Sequence, residues 1–117
     1  MGHLVKYLGE ILKVLGGQLP DDLPDLLIYG YGSKPIREDH PGVQPLADLL
    51  KAFEQLTRLI TDQLAAMSEP DFDAEVDFWQ GKVRLGYNAL FYFFHHSYHI
   101  GQLEQLRNLA GKTGKVI

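Results

Sequence analysis

The stretch "FFHHSYHIGQLEQLRNLAGK", residues 93–112, carries a helical apolar repeat together with three of the five histidines of the chain. His95 and His99 lie four positions apart, a spacing that places both imidazoles on one face of a helix, about 6 Å from each other. Two such imidazoles can share a metal ion, but a stable site needs a third protein ligand. His96 points about 100° away around the helix axis and is not expected to join them. The spacing predicts part of a metal site, with core-packed or solvated histidines as the alternative.

Two further helices are predicted upstream of this stretch. Apolar residues recur at helical spacing over residues 4–15, and Gly16-Gly17 ends that helix. The same period returns over residues 45–69, which open with a proline, favoured in a first turn, and close at a Glu-Pro pair. The last helix covers about residues 84–110 and is closed by Gly111. We therefore expect an all-α fold, an up-down helical bundle with three main helices in a single domain, residues 1–117.

The segments between and after the helices give weaker signals. Residues 18–44 form a long connection that prolines and glycines interrupt, so a long helix is not expected there. Residues 68–83 are polar and then alternate weakly, which predicts an extended loop or a single short strand. The tail, residues 112–117, is predicted to be extended.

Composition excludes several classes of function. The net charge of −4 argues against a nucleic-acid partner, because phosphate binding needs a basic face. The absence of cysteine excludes disulfides, thiolate nucleophiles and zinc–sulfur sites. No run approaches the roughly 20 apolar residues of a membrane span, and the start does not resemble a signal peptide. We expect a cytoplasmic protein whose metal ligands, if any, are His, carboxylate or Tyr.

Several residues in the quoted stretch resemble the last helix of the DinB/YfiT-like superfamily, whose signature is His-x-x-x-His, Gly-Gln-Leu and a Leu-Arg-x-x-x-Gly-Lys ending. The matching residues are His95, His99, Gly101, Gln102, Leu103, Leu106, Arg107, Gly111 and Lys112. Residues 4–20 are similar, more weakly, to the second helix of the family, and residues 27–39 to the loop before its third helix. The resemblance therefore covers nearly the whole chain, and its specific part is the last helix.

This resemblance implies a four-helix bundle that holds a divalent metal, zinc, nickel or iron, with three histidines. The pair carries over to His95 and His99, but the position of the second-helix histidine is occupied by Tyr7. A phenolate ligand needs a depressed pKa. Glu10 and His3 lie one turn to either side, in flanking directions, and a site of two histidines with the Glu10 carboxylate is chemically sound. The expected metal ligands are His95 and His99, completed by Glu10 or Tyr7.

By this resemblance we expect the family's first helix to lack a counterpart, because the sequence opens in what resembles the second. We expect the resulting groove to be filled by a second subunit, which makes the protein a homodimer. By resemblance, the function is that of a bacterial metal-dependent transferase or hydrolase with a small-molecule or thiol substrate. The alternative is a non-catalytic helical dimer, or ligand-binding module, with a degenerate metal site.

Aromatic residues and one further histidine complete the candidates. Trp79 is expected to anchor a loop to the core, and His40 to be a solvated turn residue. An aromatic belt on the last helix is expected to pack in the core, with the surplus at the subunit interface or around a small apolar pocket beside the histidines. The belt comprises Tyr87, Phe91, Tyr92, Phe93, Phe94 and Tyr98.

Overall fold

The computed structural model describes residues 1–37, 39–79, 81–112 and 114, and contains the three predicted helices together with a small hairpin. The helices are α1 (Gly2–Val14), α2 (Leu46–Ala66) and α3 (Leu85–Leu109). The antiparallel strands are β1 (Glu75–Phe78) and β2 (Gly81–Arg84), and two short 3₁₀ helices span Leu27–Tyr29 and Glu69–Asp73. The fold is therefore predominantly helical, and the hairpin is the part that an all-α description omits.

Glycines end two of the helices where the sequence predicted. Gly16 follows α1 with a φ of +82°, and Gly111 follows α3 with a φ of +78°. This left-handed conformation is strained for residues with a Cβ atom, so glycine is the favoured residue just beyond a helix. The Gly17 N–H donates to the carbonyl of Leu12 at 2.8 Å, which satisfies a carbonyl in the last turn of α1.

The main core lies between α1 and α2, whose apolar stripes face each other. Its buried members are Val5, Leu8, Leu12, Leu49, Ala52 and Leu56. Burying one leucine side chain contributes about 1.5–3 kcal/mol, so this pair of stripes supplies much of the stability. Among the described residues, α3 buries only Leu85 and Asn88 to the same degree, and much of its aromatic belt is exposed.

The segment predicted as a loop or single strand is instead a 3₁₀ helix followed by a hairpin. Ser68 donates from its backbone N–H and its hydroxyl to the Asp71 carboxylate, at 2.7 and 2.8 Å, which starts the 3₁₀ helix. Val76 pairs with Val83 in the hairpin. The weak alternation was visible in the sequence, but the partner strand was not, because no Asn-Gly or Asp-Gly pair lies between the two valines to mark a hairpin turn. Of the tail predicted to be extended, residues 113 and 115–117 lie outside the described residues.

The long connection between α1 and α2 is tied to the helices through Tyr29. The Gln44 N–H donates to the Tyr29 hydroxyl at 2.9 Å, and the ring of Tyr29 packs against the α1–α2 core. The Tyr29 carbonyl faces His3 at the start of α1. Across the part of the chain that the structure describes, no helix combines the length and the apolarity that crossing a membrane requires.

Candidate metal centre

Three histidines meet where the start of α1 lies against the middle of α3. The Nε2 atom of His95 is 3.3 Å from Nε2 of His3 and 3.1 Å from Nε2 of His99. One ring nitrogen from each of the three residues lies within 4.8 Å of the others. The two positions on α3 are one turn apart, and His3 comes from a helix 92 residues away along the chain. The arrangement thus joins a local pair with one distant imidazole.

Hydrogen bonds to the outer ring nitrogens orient two of the three imidazoles. Nδ1 of His3 lies 3.0 Å from the Tyr29 carbonyl oxygen, which can only accept, so this nitrogen carries the proton and donates. Nδ1 of His99 lies 2.7 Å from Oε1 of Gln102, where the same reasoning applies. The Nε2 atoms of His3 and His99 therefore present lone pairs toward His95. A metal-binding histidine commonly has this kind of outer partner.

Two of the three separations between the nitrogens match a shared tetrahedral ion. Zinc–nitrogen bonds of about 2.0–2.1 Å at the tetrahedral angle separate neighbouring ligand atoms by about 3.3–3.4 Å. The two measured separations from the His95 Nε2 atom, 3.3 and 3.1 Å, are close to this value. Nδ1 of His95 is buried with no hydrogen-bond partner among the described residues. The donor set and the two separations at His95 fit a divalent transition metal.

Burial and crowding keep two of the imidazoles neutral. Burial, followed by repulsion from the neighbouring His99, His3 and His96, lowers the pKa of His95 from 6.5 to about 4. Burial also lowers the pKa of His3, and its bond to the Tyr29 carbonyl opposes this shift only in part. Because metals bind the neutral imidazole, proton competition at these two residues is weak near pH 7.

Of the two residues expected to supply the third ligand, Tyr7 lies beside the cluster and Glu10 is ion-paired with lysines. The Tyr7 ring is 4.6 Å from the His3 ring and 4.8 Å from the His95 ring, centroid to centroid. Burial, and then the charge of Glu10, raise the pKa of Tyr7, which favours the neutral phenol over a phenolate ligand. Glu10 forms ion pairs with Lys6 at 3.8 Å and Lys13 at 3.3 Å. The structure therefore places His3 in the third position, with Tyr7 as its neighbour.

The third imidazole, that of His3, lies one helical turn before the position of Tyr7, where the family resemblance places the second-helix histidine. His3 and Tyr7 are four positions apart and share a face of α1, whereas a flanking direction was expected for His3. Periodicity does not determine how far α1 slides along α3, and one turn corresponds to about 5.4 Å. A histidine one turn from the expected position, on the same face, was the signal that could have identified the third imidazole.

The two other histidines of the chain lie outside the cluster. The two ring nitrogens of His96 are 3.0 Å from the Tyr92 carbonyl oxygen and 3.2 Å from that of Leu4, so this residue links α3 to α1. His40 is exposed in a turn, where its Nδ1 accepts from the Gly42 N–H at 3.1 Å. Neither imidazole is directed at the three Nε2 atoms.

Comparison with known families agrees with this geometry. The sequence model of the DinB superfamily matches residues 1–103, a range that contains all three clustered histidines. The chain belongs to the DinB superfamily. Neither the curated proteins nor the solved structures gave a match to this DinB chain. Its family and its histidine cluster together support a metal site.

Acidification should destabilise the metal-free protein. The unfolded chain binds a proton at His95 near pH 6.5, whereas the folded chain resists protonation until about pH 4. Between these values the unfolded state binds more protons, so the free energy of unfolding falls as pH falls. We expect the melting temperature of chelator-treated protein to drop by several degrees from pH 7 to pH 4.5, as measured by circular dichroism.

His95→Gln is the control for this pH dependence, because glutamine does not titrate. The variant should have a flatter profile of melting temperature against pH over the same range. An equally steep profile would assign the acid sensitivity to other groups and contradict the role given to His95.

Proposed function

We propose that this DinB protein binds one divalent transition-metal ion through His3, His95 and His99 and acts as a metal-dependent transferase or hydrolase on a small molecule. The observation that carries the proposal is the convergence of three Nε2 atoms, two of them with outer hydrogen bonds that direct their lone pairs inward. Imidazole donors suit zinc, nickel and iron. Three protein ligands that leave one position open are the pattern of catalytic rather than structural sites.

The ion, when bound, would act as a Lewis acid and lower the pKa of a water or a small-molecule thiol at the open position. The residues of the chain would orient the reactants around it. The Tyr29 carbonyl and Gln102 hold the imidazoles of His3 and His99. The neutral phenol of Tyr7, next to His95, can donate a hydrogen bond to an oxygen of the substrate.

Cavities on both sides of the cluster favour a catalytic role over a purely structural one. His95 lines a cavity of about 500 Å³, within the usual range of small-molecule sites. His3 and His99 line a second cavity of about 220 Å³. The degenerate site of the non-catalytic alternative is disfavoured, because a third imidazole is present. A ligand-binding module that uses the ion only for affinity remains the competing function.

Metal content and chelation test the proposal together. Protein without an affinity tag, purified without added metal, should contain close to one equivalent of zinc, nickel or iron per chain by elemental mass spectrometry. A chelator should lower its melting temperature, because a ligand that binds only the folded state stabilises that state. No bound metal, no uptake of added zinc and a melting temperature indifferent to chelator would together refute the proposal.

We also propose that two copies of this chain pair through the face of α3 opposite the histidines. This face carries Leu90, Phe94, Ser97 and Gly101 in successive turns, and the first two are 70% and 65% exposed. A Cβ atom added at Gly101 would meet nothing within 4 Å, so this part of the helix is open. A twofold axis between positions 94 and 97 would set Phe94 on Ser97 and Leu90 on Gly101. Such large-on-small self-complementarity supports an isologous dimer.

Light scattering in solution should give the mass of a dimer for the unmodified chain. Gly101→Phe should produce monomers, because the added ring occupies the space proposed for the partner's Leu90. Leu109→Glu, at an exposed position of α3 off this face, is the control and should remain dimeric. A monomeric unmodified chain would contradict the proposal.

A further inference from the structure

An aromatic cavity lies beside the histidine cluster, and four separate segments of the chain build it. Tyr7 comes from α1, Tyr31 from the long connection, Trp79 from the hairpin turn, and the rest from α3. The cavity measures about 500 Å³ and is lined by Tyr7, Tyr31, Trp79, Phe91, Tyr92 and His95, here called the aromatic box. We propose that the aromatic box binds the ammonium head group of a cationic substrate, preferably a methylated one.

The angles between the rings favour a compact cation over a flat ligand. Phe91 makes an angle of 77° with Trp79, at a centroid distance of 5.5 Å, and an angle of 74° with Tyr92, at 5.8 Å. Tyr7 and Tyr92 are inclined by 45° at 6.1 Å. A flat ring would need two parallel faces with a gap between them. Walls set at steep angles instead surround a rounded group, which is how aromatic cages hold quaternary ammonium ions.

The charges and polar atoms of the aromatic box also favour a cationic ligand. None of its six lining residues is a lysine or an arginine, so the described lining offers no lysine or arginine charge to an anionic substrate. Its three tyrosines add phenol oxygens, which carry partial negative charge. Ring faces attract a cation within about 6 Å through the negative potential of their π-systems. An uncharged alkyl group of equal size would gain only the apolar contact.

The backbone at Trp79 gives independent support. Its φ of +48° is the only positive value among the described non-glycine residues, although its side chain is 83% exposed. The ring stacks on Phe78 at 5.1 Å with an angle of 10° and meets Phe91 edge-on. Glycine or asparagine would suit this turn better than tryptophan. A sparsely populated backbone conformation at an exposed residue is typical of functional positions.

This inference deepens the proposed function by naming the class of substrate, and it depends on that function only for the reacting end of the molecule. With the ammonium group in the box, the remainder of the substrate would extend past His95 toward the three Nε2 atoms. Binding of the head group itself needs no metal. The test can therefore be made on chelator-treated protein, separately from the metal test.

The experiment compares choline with its tert-butyl analogue, in which carbon replaces the charged nitrogen, by isothermal titration calorimetry. Choline is expected to bind about tenfold more tightly than the analogue, because several ring faces would each add a cation–π contact. Equal or tighter binding of the analogue, or no binding of choline, would overturn the inference. If the protein holds one metal per chain, the proposed function stands whatever the choline result. If choline binds but the protein takes up no metal, the proposed function is refuted and the inference about the aromatic box stands.

Matched variants distinguish the loss of ligand contacts in the aromatic box from a general loss of folding. Phe91→Leu should weaken choline binding about tenfold, while Phe93→Leu, an exposed position of α3 outside the box, should leave it unchanged. Trp79→Asn should also weaken choline binding, yet it should preserve or raise the melting temperature because asparagine tolerates a positive φ. Equal choline affinity in the Phe91 and Phe93 variants would contradict the inference.

Discussion

Replacing His3 by glutamine is expected to weaken zinc binding by more than about 100-fold, since loss of an outer partner alone costs 10- to 100-fold. His3 supplies the one nitrogen of the cluster that does not come from α3, at 3.3 Å from Nε2 of His95. Without it, two imidazoles one turn apart remain, and two protein ligands make a weak site. Competition with a chromogenic chelator measures the dissociation constant directly.

Glu10→Gln and Tyr7→Phe decide between the ligand assignments made from sequence and from structure. Glu10 is engaged with two lysines, and Tyr7 is held as a neutral phenol, so both variants should retain zinc affinity within a few-fold of the unmodified protein. His40→Gln is the control for the loss of an exposed imidazole. A Tyr7 or Glu10 variant that loses zinc as severely as the His3 variant would return the third-ligand role to that residue.

The contrast between His3 and Tyr7 illustrates what the sequence can predict for this chain. The i,i+4 pair on α3 and the inward face of α1 are local properties, and the family resemblance gave them a chemical meaning. The contact between the two helices is not local, because it depends on the register at which the side chains of α1 and α3 interdigitate. That register decides which turn of α1 supplies the third imidazole.

The aromatic box was foreseen only in part, for a related reason. The expected apolar pocket beside the histidines drew on the belt of α3, which supplies Phe91 and Tyr92. Trp79 was expected to anchor a loop in the core, but it is exposed at the tip of a hairpin. The pairing of the hairpin, and the placement of Tyr31 just after the 3₁₀ helix of the long connection, depend on tertiary contacts that sequence periodicity does not reveal.

Leu56→Ala is expected to lower the free energy of unfolding by about 2–5 kcal/mol, the range for a fully buried leucine. Leu56 has no exposed surface and lies in the middle of α2, in the core shared with Val5, Leu8 and Leu12. The α1–α2 interface contains most of the fully buried apolar side chains among the described residues, so neighbours can only partly fill the cavity. Chemical denaturation with excess chelator is the measurement, because bound metal would otherwise add its own stabilisation.

Leu50→Ala is the matched control, since it changes the same atoms on the same helix at a position that is 43% exposed. Helix propensity changes equally in both variants, so the difference between them isolates burial. The Leu50 variant should lose less than about half as much free energy, with an unchanged denaturant slope in both. Equal losses would mean that the buried face of α2 does not lie against α1. The position of His3 would then also be in doubt, because the same packing of α1 carries His3 to the His95–His99 pair.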